Sequence, residues 1–233
     1  LFDPDTGRLA ALVGGNYLTA VRTAASSAVS IAQLARKDAK VLGMVGAGHQ
    51  AGFQLRAAAE QRNFEKVVAW NRHPEKLSKL EQVANDIGLP FEAVEREELC
   101  ARADVIVTIA SAFEPLLERD WIQPGTHIAC MGTDTKGKQE VSADLVANAT
   151  LFTDEIAQSI SIGETQHAVA AGSISEADIT AIGEVINGTH PGRSSEDEIT
   201  LFDGTGVGLQ DLAVASVAAK LAQAQGKAQV VEL

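Results

Sequence analysis

Short apolar runs alternate with longer segments of helical periodicity through the middle of the chain. The run over residues 104–109 is apolar on both faces, as expected of a central parallel strand. Strands and helices that alternate at this spacing predict an α/β protein with a doubly wound parallel sheet. The expected strands are residues 40–45, 66–70, 91–94, 104–109, 126–131 and 151–154, and the expected helices are residues 16–36, 51–62, 75–87 and 96–102.

Both ends of the chain depart from this alternation. Phe2 ends a strand, residues 3–7 form a turn and residues 9–13 begin a returning strand, so we expect a preceding segment to be absent. After residue 155, a helical stretch over 163–171 leads into a Gly-rich polar region, and a strand follows over 198–203. The helix expected over 209–225 is apolar nearly all round, which predicts that it is buried.

A glycine-rich turn follows the first strand of the alternating region. Gly46, Gly48 and Ala51 form the pattern Gly-x-Gly-x-x-Ala, which opens into the next helix. Gly46 permits a tight turn, Gly48 lets a pyrophosphate approach the backbone, and Ala51 lets the helix pack closely on the strand. The N–H groups and positive dipole end of the helix favour phosphate binding. The pattern therefore predicts a Rossmann-type sheet that binds a dinucleotide, NAD or NADP.

Ligands of open parallel sheets bind where the strands end. Asn71 stands where an acidic residue normally holds the ribose, and Arg72 either holds a 2′-phosphate or is a solvated surface arginine, so both cofactors stay open. Ala110 and Ser111 are small enough to let a ribose approach. Asp134 lies in a glycine-bounded loop with two lysines, where it is either a general acid/base or a turn-forming residue.

Composition narrows the classes of function. Hydrophobic residues make up 45% of the chain and aromatic residues only 4%, which suits close packing of helices on a sheet. The formal net charge of −12 argues against nucleic acid and anionic membranes as partners. Cys100 and Cys130 lie in no metal-binding pattern, so we expect two buried thiols, no metal site and a cytoplasmic location.

Six segments carry a resemblance that covers essentially the whole chain. They are Arg22-Thr23-Ala24-Ala25-Ser26, Gly46-Ala47-Gly48-His49-Gln50-Ala51, Gly132-x-Asp134-x-x-Gly137-Lys138-x-Glu140, Gly163-Glu164, Gly192-Arg193 and Phe202-Asp203-x-x-Gly206. Each is loose, but the ordered set is similar to the ornithine cyclodeaminase/mu-crystallin family. Residues 131–140, 159–168 and 202–211 most resemble the members that reduce iminosuccinate to L-aspartate.

The resemblance implies two domains and a homodimer. Residues 37–204 match the dinucleotide-binding domain of the family. Residues 1–36 match a remnant of the domain for substrate binding and dimerisation, and residues 205–233 match the C-terminal helix that returns to it. The resemblance also implies an N-terminal segment with further basic residues for the substrate carboxylate, and we expect most of that segment to be absent from this chain.

The resemblance also implies roles for individual residues. Asp134 matches the catalytic aspartate, and Arg22 matches an arginine that meets the substrate carboxylate near the cofactor phosphates. Lys138 matches a residue near the nicotinamide ribose, and His49 and Gln50 match contacts to the pyrophosphate. The expected cofactor-binding residues are Arg22, Thr23, Gly46, Gly48, His49, Gln50, Asn71, Arg72, Ala110, Ser111, Met131, Gly132 and Lys138.

The function implied is NAD(P)H-dependent reduction of a 2-imino acid to an L-amino acid, with iminosuccinate as the expected substrate. Its second carboxylate requires another donor, for which Thr133, Thr135 and Lys136 are candidates. The alternatives are a cyclodeaminase, an alanine dehydrogenase or ketimine reductase, and a non-catalytic protein that binds NADPH. Consumption of NADH distinguishes a reductase from a cyclodeaminase, which has no net redox change.

Overall fold

The computed structural model describes residues 1–231, which divide into two compact units. The smaller unit combines residues 1–22 with the chain from Val207 onward, and the larger unit is Thr23–Gly206. The division falls within the first helix, after Arg22, whereas the expected domains divide after residue 36. The last two residues of the segment expected over 205–233 lie outside the described residues.

Within residues 1–231 the chain forms ten β-strands and nine α-helices. The strands are β1 (Val41–Val45), β2 (Lys66–Trp70), β3 (Phe91–Ala93), β4 (Val105–Thr108), β5 (Phe113–Leu117), β6 (His127–Cys130), β7 (Gln139–Val141), β8 (Thr150–Thr153), β9 (Ile179–Ala181) and β10 (Thr200–Asp203). The helices are α1 (Gly15–Leu34), α2 (Ala51–Ala59), α3 (Leu77–Asp86), α4 (Arg96–Arg102), α5 (Ala143–Ala147), α6 (Ile156–Ile162), α7 (Gln166–Ala170), α8 (Ile182–Ile186) and α9 (Gly208–Ala224).

The larger unit is built on an eight-stranded parallel sheet in the order β3-β2-β1-β4-β6-β10-β8-β9, which confirms the predicted fold class. The order of the strands reverses between β1 and β4. This reversal opens a crevice at the carboxyl ends of the two strands, where such sheets bind ligands. A separate parallel pair, β5 and β7, adds a second small sheet.

Buried apolar side chains cover both faces of the large sheet. Leu42 and Met44 of β1 belong to one core cluster and Val45 to the other, as expected because successive strand residues point to opposite faces. On the second face, α4 approaches so closely that a Cβ at Gly43 would lie 2.9 Å from Leu99 and Ala103. All four residues of β4 are buried, as predicted for a central strand.

The hydrophobic pattern predicted the longer helices and most strands of the large sheet, but it missed several short elements. β2 and α4 have the predicted bounds. The later strands complete the sheet, because β10 lies between β6 and β8 and β9 forms the edge. The elements that were not predicted are β5, β7, β9, α5, α6 and α8, because elements of three to seven residues have too few positions to show a period.

Two expectations about the smaller unit are wrong. Only Ala215 of α9 is buried, and Leu209 is 71% exposed, because an apolar helix is buried only where other elements cover it. Near the start, Phe2 and Leu9 form a single antiparallel bridge, and residues 9–13 form no strand. No helix within residues 1–231 is long and apolar enough to cross a membrane.

Both cysteines are buried, as predicted. Burial raises the pKa of the Cys100 thiol to about 12 and that of Cys130 well above its ordinary value. Neither thiol is therefore a nucleophile at neutral pH.

Candidate active site

The glycine turn after β1 has the predicted form. Gly46 has φ of +109°, and a Cβ there would lie 2.6 Å from the carbonyl oxygen of Ile109, so only glycine fits. A Cβ at Gly48 would meet no atom within 4 Å, which leaves its backbone open to a ligand. Ala51 is buried where α2 begins, and Gln50 provides no side-chain cap for the first N–H groups of the helix.

A cleft of about 200 Å³ lies at the ends of β1, β4 and β6, where the strand order reverses. Every lining residue except Ile109 belongs to the set predicted to bind cofactor or to act in catalysis. The lining residues are Gly48, His49, Gln50, Ile109, Ala110, Ser111, Met131, Gly132, Asp134 and Lys138. The fold thus brings three separate loops of the larger unit to one cavity.

An ion pair stands at the edge of this cleft. Nζ of Lys138 lies 2.7 Å from Oδ1 of Asp134, and the hydroxyl of Thr135 donates to the same oxygen at 3.0 Å. Partial burial disfavours the charge of Asp134, but the hydrogen bonds from Lys138 and Thr135 outweigh it and lower its pKa. Asp134 is therefore a carboxylate at neutral pH, and 64% of its side chain is exposed.

Helix α7 supports the loop that carries this pair. Oε1 of Gln166 accepts the N–H of Gly137 at 2.8 Å. Nε2 of His167 lies 3.0 Å from the carbonyl oxygen of Lys138, to which it donates. His167 therefore also supports this loop. The role of Gln166 was not predicted.

Several predicted residues have partners elsewhere in the protein. Thr133 is buried, and its hydroxyl donates to Glu164, so the substrate-binding role expected for Thr133 is not supported. Oδ1 of Asn71 accepts the N–H of Ala47 at 3.0 Å and its Nδ2 donates to the carbonyl of residue 73 at 2.8 Å, which holds the glycine turn. Arg72 and Lys136 are exposed.

Arg22 and Thr23 fall on opposite sides of the division between the units. Arg22, in the smaller unit, pairs through Nε with Oδ1 of Asp211 at 3.3 Å, and its Nη1 donates to Gln210 at 3.4 Å. Thr23 is buried on α1 in the larger unit. Their predicted contacts with cofactor and substrate stay predictions.

Three acids are fully buried in the larger unit: Glu140 of β7, Glu164 in the turn before α7 and Asp203 at the end of β10. We call them the buried acid cluster. Burial raises the pKa of Glu140 to about 7. Burial and the neighbouring Glu140 raise the pKa of Glu164 to about 8, and burial raises that of Asp203 to about 8. The resemblance contained these acids but suggested no role for them.

The site and the fold together define a class of protein. A glycine turn that opens into a helix at the reversal point of a parallel sheet is the arrangement of dinucleotide-binding α/β proteins. The open backbone at Gly48 and the uncapped start of α2 fit a pyrophosphate. The family model of the ornithine cyclodeaminase/mu-crystallin family matches residues 1–225, and the chain belongs to that family.

Comparison with individual proteins agrees with this assignment. The chain is 62% identical over 233 residues to iminosuccinate reductase of Paracoccus denitrificans (strain Pd 1222), a match that covers all of this chain and 72% of that protein. The crystal structure of that reductase in complex with NAD+ superposes with a TM-score of 0.97, over 100% of this chain and 72% of that one.

Two further solved structures have the same fold. An archaeal alanine dehydrogenase dimer with bound NAD has a TM-score of 0.96 at 35% identity, and the match covers 100% of this chain and 72% of that one. Delta(1)-pyrroline-2-carboxylate reductase of Thermococcus litoralis, in complex with NADH and L-proline, has a TM-score of 0.94 at 32% identity, over 99% of this chain and 72% of that one. The likenesses confirm the predicted fold and family.

Proposed function

We propose that this protein is an NAD-dependent imino acid reductase that converts iminosuccinate to L-aspartate. The observation that carries the proposal is the 62% identity to an iminosuccinate reductase along the entire chain. The cleft supports it, because it joins the glycine turn to the carboxylate of Asp134. The relatives solved with NAD+, NAD and NADH make NAD the cofactor.

Different residues of the cleft bind different parts of the cofactor. When bound, NADH supplies the hydride that reduces the carbon of the imine. Gly46 and Gly48 hold the pyrophosphate against backbone N–H groups at the start of α2. Ala110 and Ser111 would leave room for a ribose, and Lys138 would donate to polar groups beside it.

Asp134 acts on the nitrogen of the substrate. A protonated imine is positively charged, and the ionised carboxylate of Asp134 attracts it, orients its N–H bonds and stabilises its charge. Protonation makes the neighbouring carbon a better hydride acceptor. Lys138 balances the charge of Asp134 when no substrate is bound.

The two carboxylates of the substrate require cationic partners. Arg22 is our candidate for the one beside the imine, because a guanidinium binds a carboxylate through two parallel hydrogen bonds. Lys136, exposed in the loop that carries Asp134, is our candidate for the other. We also propose a homodimer, as in the archaeal alanine dehydrogenase structure, and a cytoplasmic location.

The test is a steady-state assay with oxaloacetate and ammonia as the source of iminosuccinate. We expect oxidation of NADH with formation of L-aspartate, and slower oxidation of NADPH. Pyruvate with ammonia is the matched control, since it lacks the second carboxylate. Faster turnover of pyruvate, or formation of ammonia from an amino acid with no change in NADH, would refute the proposal.

A further inference from the structure

Glu140 connects two of the three loops that line the candidate cleft. Its Oε1 accepts the N–H of Ala110, in the loop after β4. Its Oε2 accepts the N–H of Gly132 at 2.9 Å, in the loop after β6, and the hydroxyl of Thr108 at 2.6 Å. A single buried carboxylate therefore sets the distance between these loops.

The hydrogen-bond partners of Glu164 allow this acid to be protonated more easily than Glu140. Its Oε1 accepts the N–H groups of Glu140 at 2.8 Å and Val141 at 2.7 Å. Its Oε2 accepts the hydroxyl of Thr133. A hydroxyl can rotate and accept instead of donating, so Oε2 of Glu164 can carry a proton without facing a fixed donor.

The hydrogen-bond partners of Asp203 allow protonation even more easily than those of Glu164. Its Oδ2 accepts the hydroxyl of Ser159 at 2.6 Å and the N–H of Glu164 at 2.9 Å. Its Oδ1 is buried and has no hydrogen-bond partner among residues 1–231. Glu140 differs from both acids, because each of its oxygens faces a backbone N–H that cannot reverse its role.

We propose that Glu140 is a positioning residue for cofactor binding: its ionised carboxylate fixes loops 109–111 and 131–134, while Glu164 and Asp203 hold the cluster's protons. This inference rests on the proposed function, since it assigns NADH to the cleft. Burial raises the pKa of all three acids. The charge of Lys138 opposes this rise at Glu140, whereas the neighbouring Glu140 adds to the rise at Glu164.

The proposal implies a pH dependence of cofactor binding. Glu140 is faced by Lys138, which favours its charge, and by the carboxyl of Glu164. The thiol of Cys130 also lies near it. Asp203 lies beside Glu164, and the charge of Asp154 acts on Asp203. A proton on Glu140 would replace an acceptor by a donor against a backbone N–H and release one loop. NADH affinity should therefore fall as pH decreases through about 7.

Other groups of the cleft predict no such loss. His49 lines the cleft, but its side chain has no negative charge that a proton could remove. Asp134 has a lowered pKa and stays ionised over the same range. A loss of affinity below pH 7 is thus specific to the buried acid cluster.

The experiment compares Glu140→Gln with Asp203→Asn by fluorescence titration of NADH from pH 6 to 9. We expect Glu140→Gln to bind NADH at least tenfold more weakly at pH 8 and to lose the pH dependence, since its amide must face an N–H donor. Asp203→Asn should bind normally, because the amide nitrogen takes the position of the unpartnered Oδ1. Equal affinity of Glu140→Gln and the wild type would overturn the proposal.

A second variant and a second measurement keep the test decisive if Glu140→Gln fails to fold. Thr108→Val removes a hydroxyl that stabilises the charge of Glu140, so the pH profile of NADH binding should move to higher pH. An unmoved profile would contradict the proposal. If it folds, Glu140→Gln should also speed amide hydrogen exchange at Ala110 and Gly132 without NADH, and unchanged exchange would contradict the positioning role.

The outcomes separate this inference from the proposed function. If the wild type binds no NADH, both fail. If the wild type binds NADH but reduces no imino acid, the proposed function fails, and the comparison of variants still decides the role of Glu140.

Discussion

Replacement of Gly48 by alanine should separate cofactor binding from stability. A methyl group there would meet no protein atom within 4 Å, and Gly48 is not among the glycines with positive φ. The free energy of unfolding should therefore stay the same or rise by ~0.4–1 kcal/mol, because alanine restricts the unfolded chain. The structure contains no strain at this position that would offset the gain.

The same methyl group should weaken NADH binding. It projects from the backbone that a pyrophosphate must approach, and it would lengthen at least one hydrogen bond to a charged phosphate oxygen. Such bonds contribute about 1.5–3 kcal/mol, which corresponds to a loss of affinity of roughly 10- to 150-fold. Fluorescence titration measures the dissociation constant of NADH, and thermal unfolding without NADH measures stability.

Gly183→Ala is the matched control for Gly48→Ala. A methyl group at Gly183 would also meet no atom within 4 Å, and Gly183 has no positive φ and lies on α8 outside the cleft. NADH affinity should be unchanged in the control. If Gly48→Ala folds normally and binds NADH as tightly as the wild type, the pyrophosphate does not lie on this turn and the reasoning is refuted.

The charged groups of the larger unit lead to three further predictions. Asp134→Asn should lower kcat by about 10²–10⁴-fold with NADH affinity nearly unchanged, and full activity in steady-state assays would remove Asp134 from the mechanism. Lys138→Met should raise the pKa of Asp134 and move the acidic limb of the kcat/KM profile to higher pH; an unmoved limb would contradict the ion pair. Because the buried acid cluster binds protons more tightly when folded, stability should fall as pH rises from 7 to 8, and it should fall less in Asp203→Asn. Urea unfolding at both pH values tests this, and stability that rises over that range would refute it.

The cleft could be predicted because its chemistry is local in sequence. Gly46, Gly48, Ala110 and Asp134 each follow a strand that the apolar pattern identifies, and parallel strands bring their carboxyl ends to one edge. Position relative to a strand was therefore enough to identify Gly48, Ala110, Ser111 and Asp134. The roles of His49, Gln50 and Lys138 came from the family resemblance.

The hydrogen bonds of the buried acid cluster, which hold the loops of the cleft, could not be predicted in this way. Glu140 contacts Ala110 across 30 residues of sequence, and Asp203 contacts Glu164 across 39. Such contacts depend on β7 and β10, one of which is too short to show a period. Thr133 was interpreted as a substrate ligand for the same reason, because its partner Glu164 is distant in sequence.

The C-terminal helix shows a different limit of the pattern. The apolar residues of α9 indicate that burial of this helix is favourable, but they do not indicate which element covers it. The prediction of burial assumed that a cover lies within the chain, and the exposed Leu209 contradicts it for residues 1–231.

A crystal structure of the protein with bound NADH tests the central claim most directly. We predict the pyrophosphate on the turn formed by Gly46 and Gly48, with the nicotinamide ring placed so that one substrate molecule can touch both the ring and the carboxylate of Asp134. A dinucleotide bound elsewhere, or a ring too remote from Asp134 for one substrate to reach both, would contradict the account.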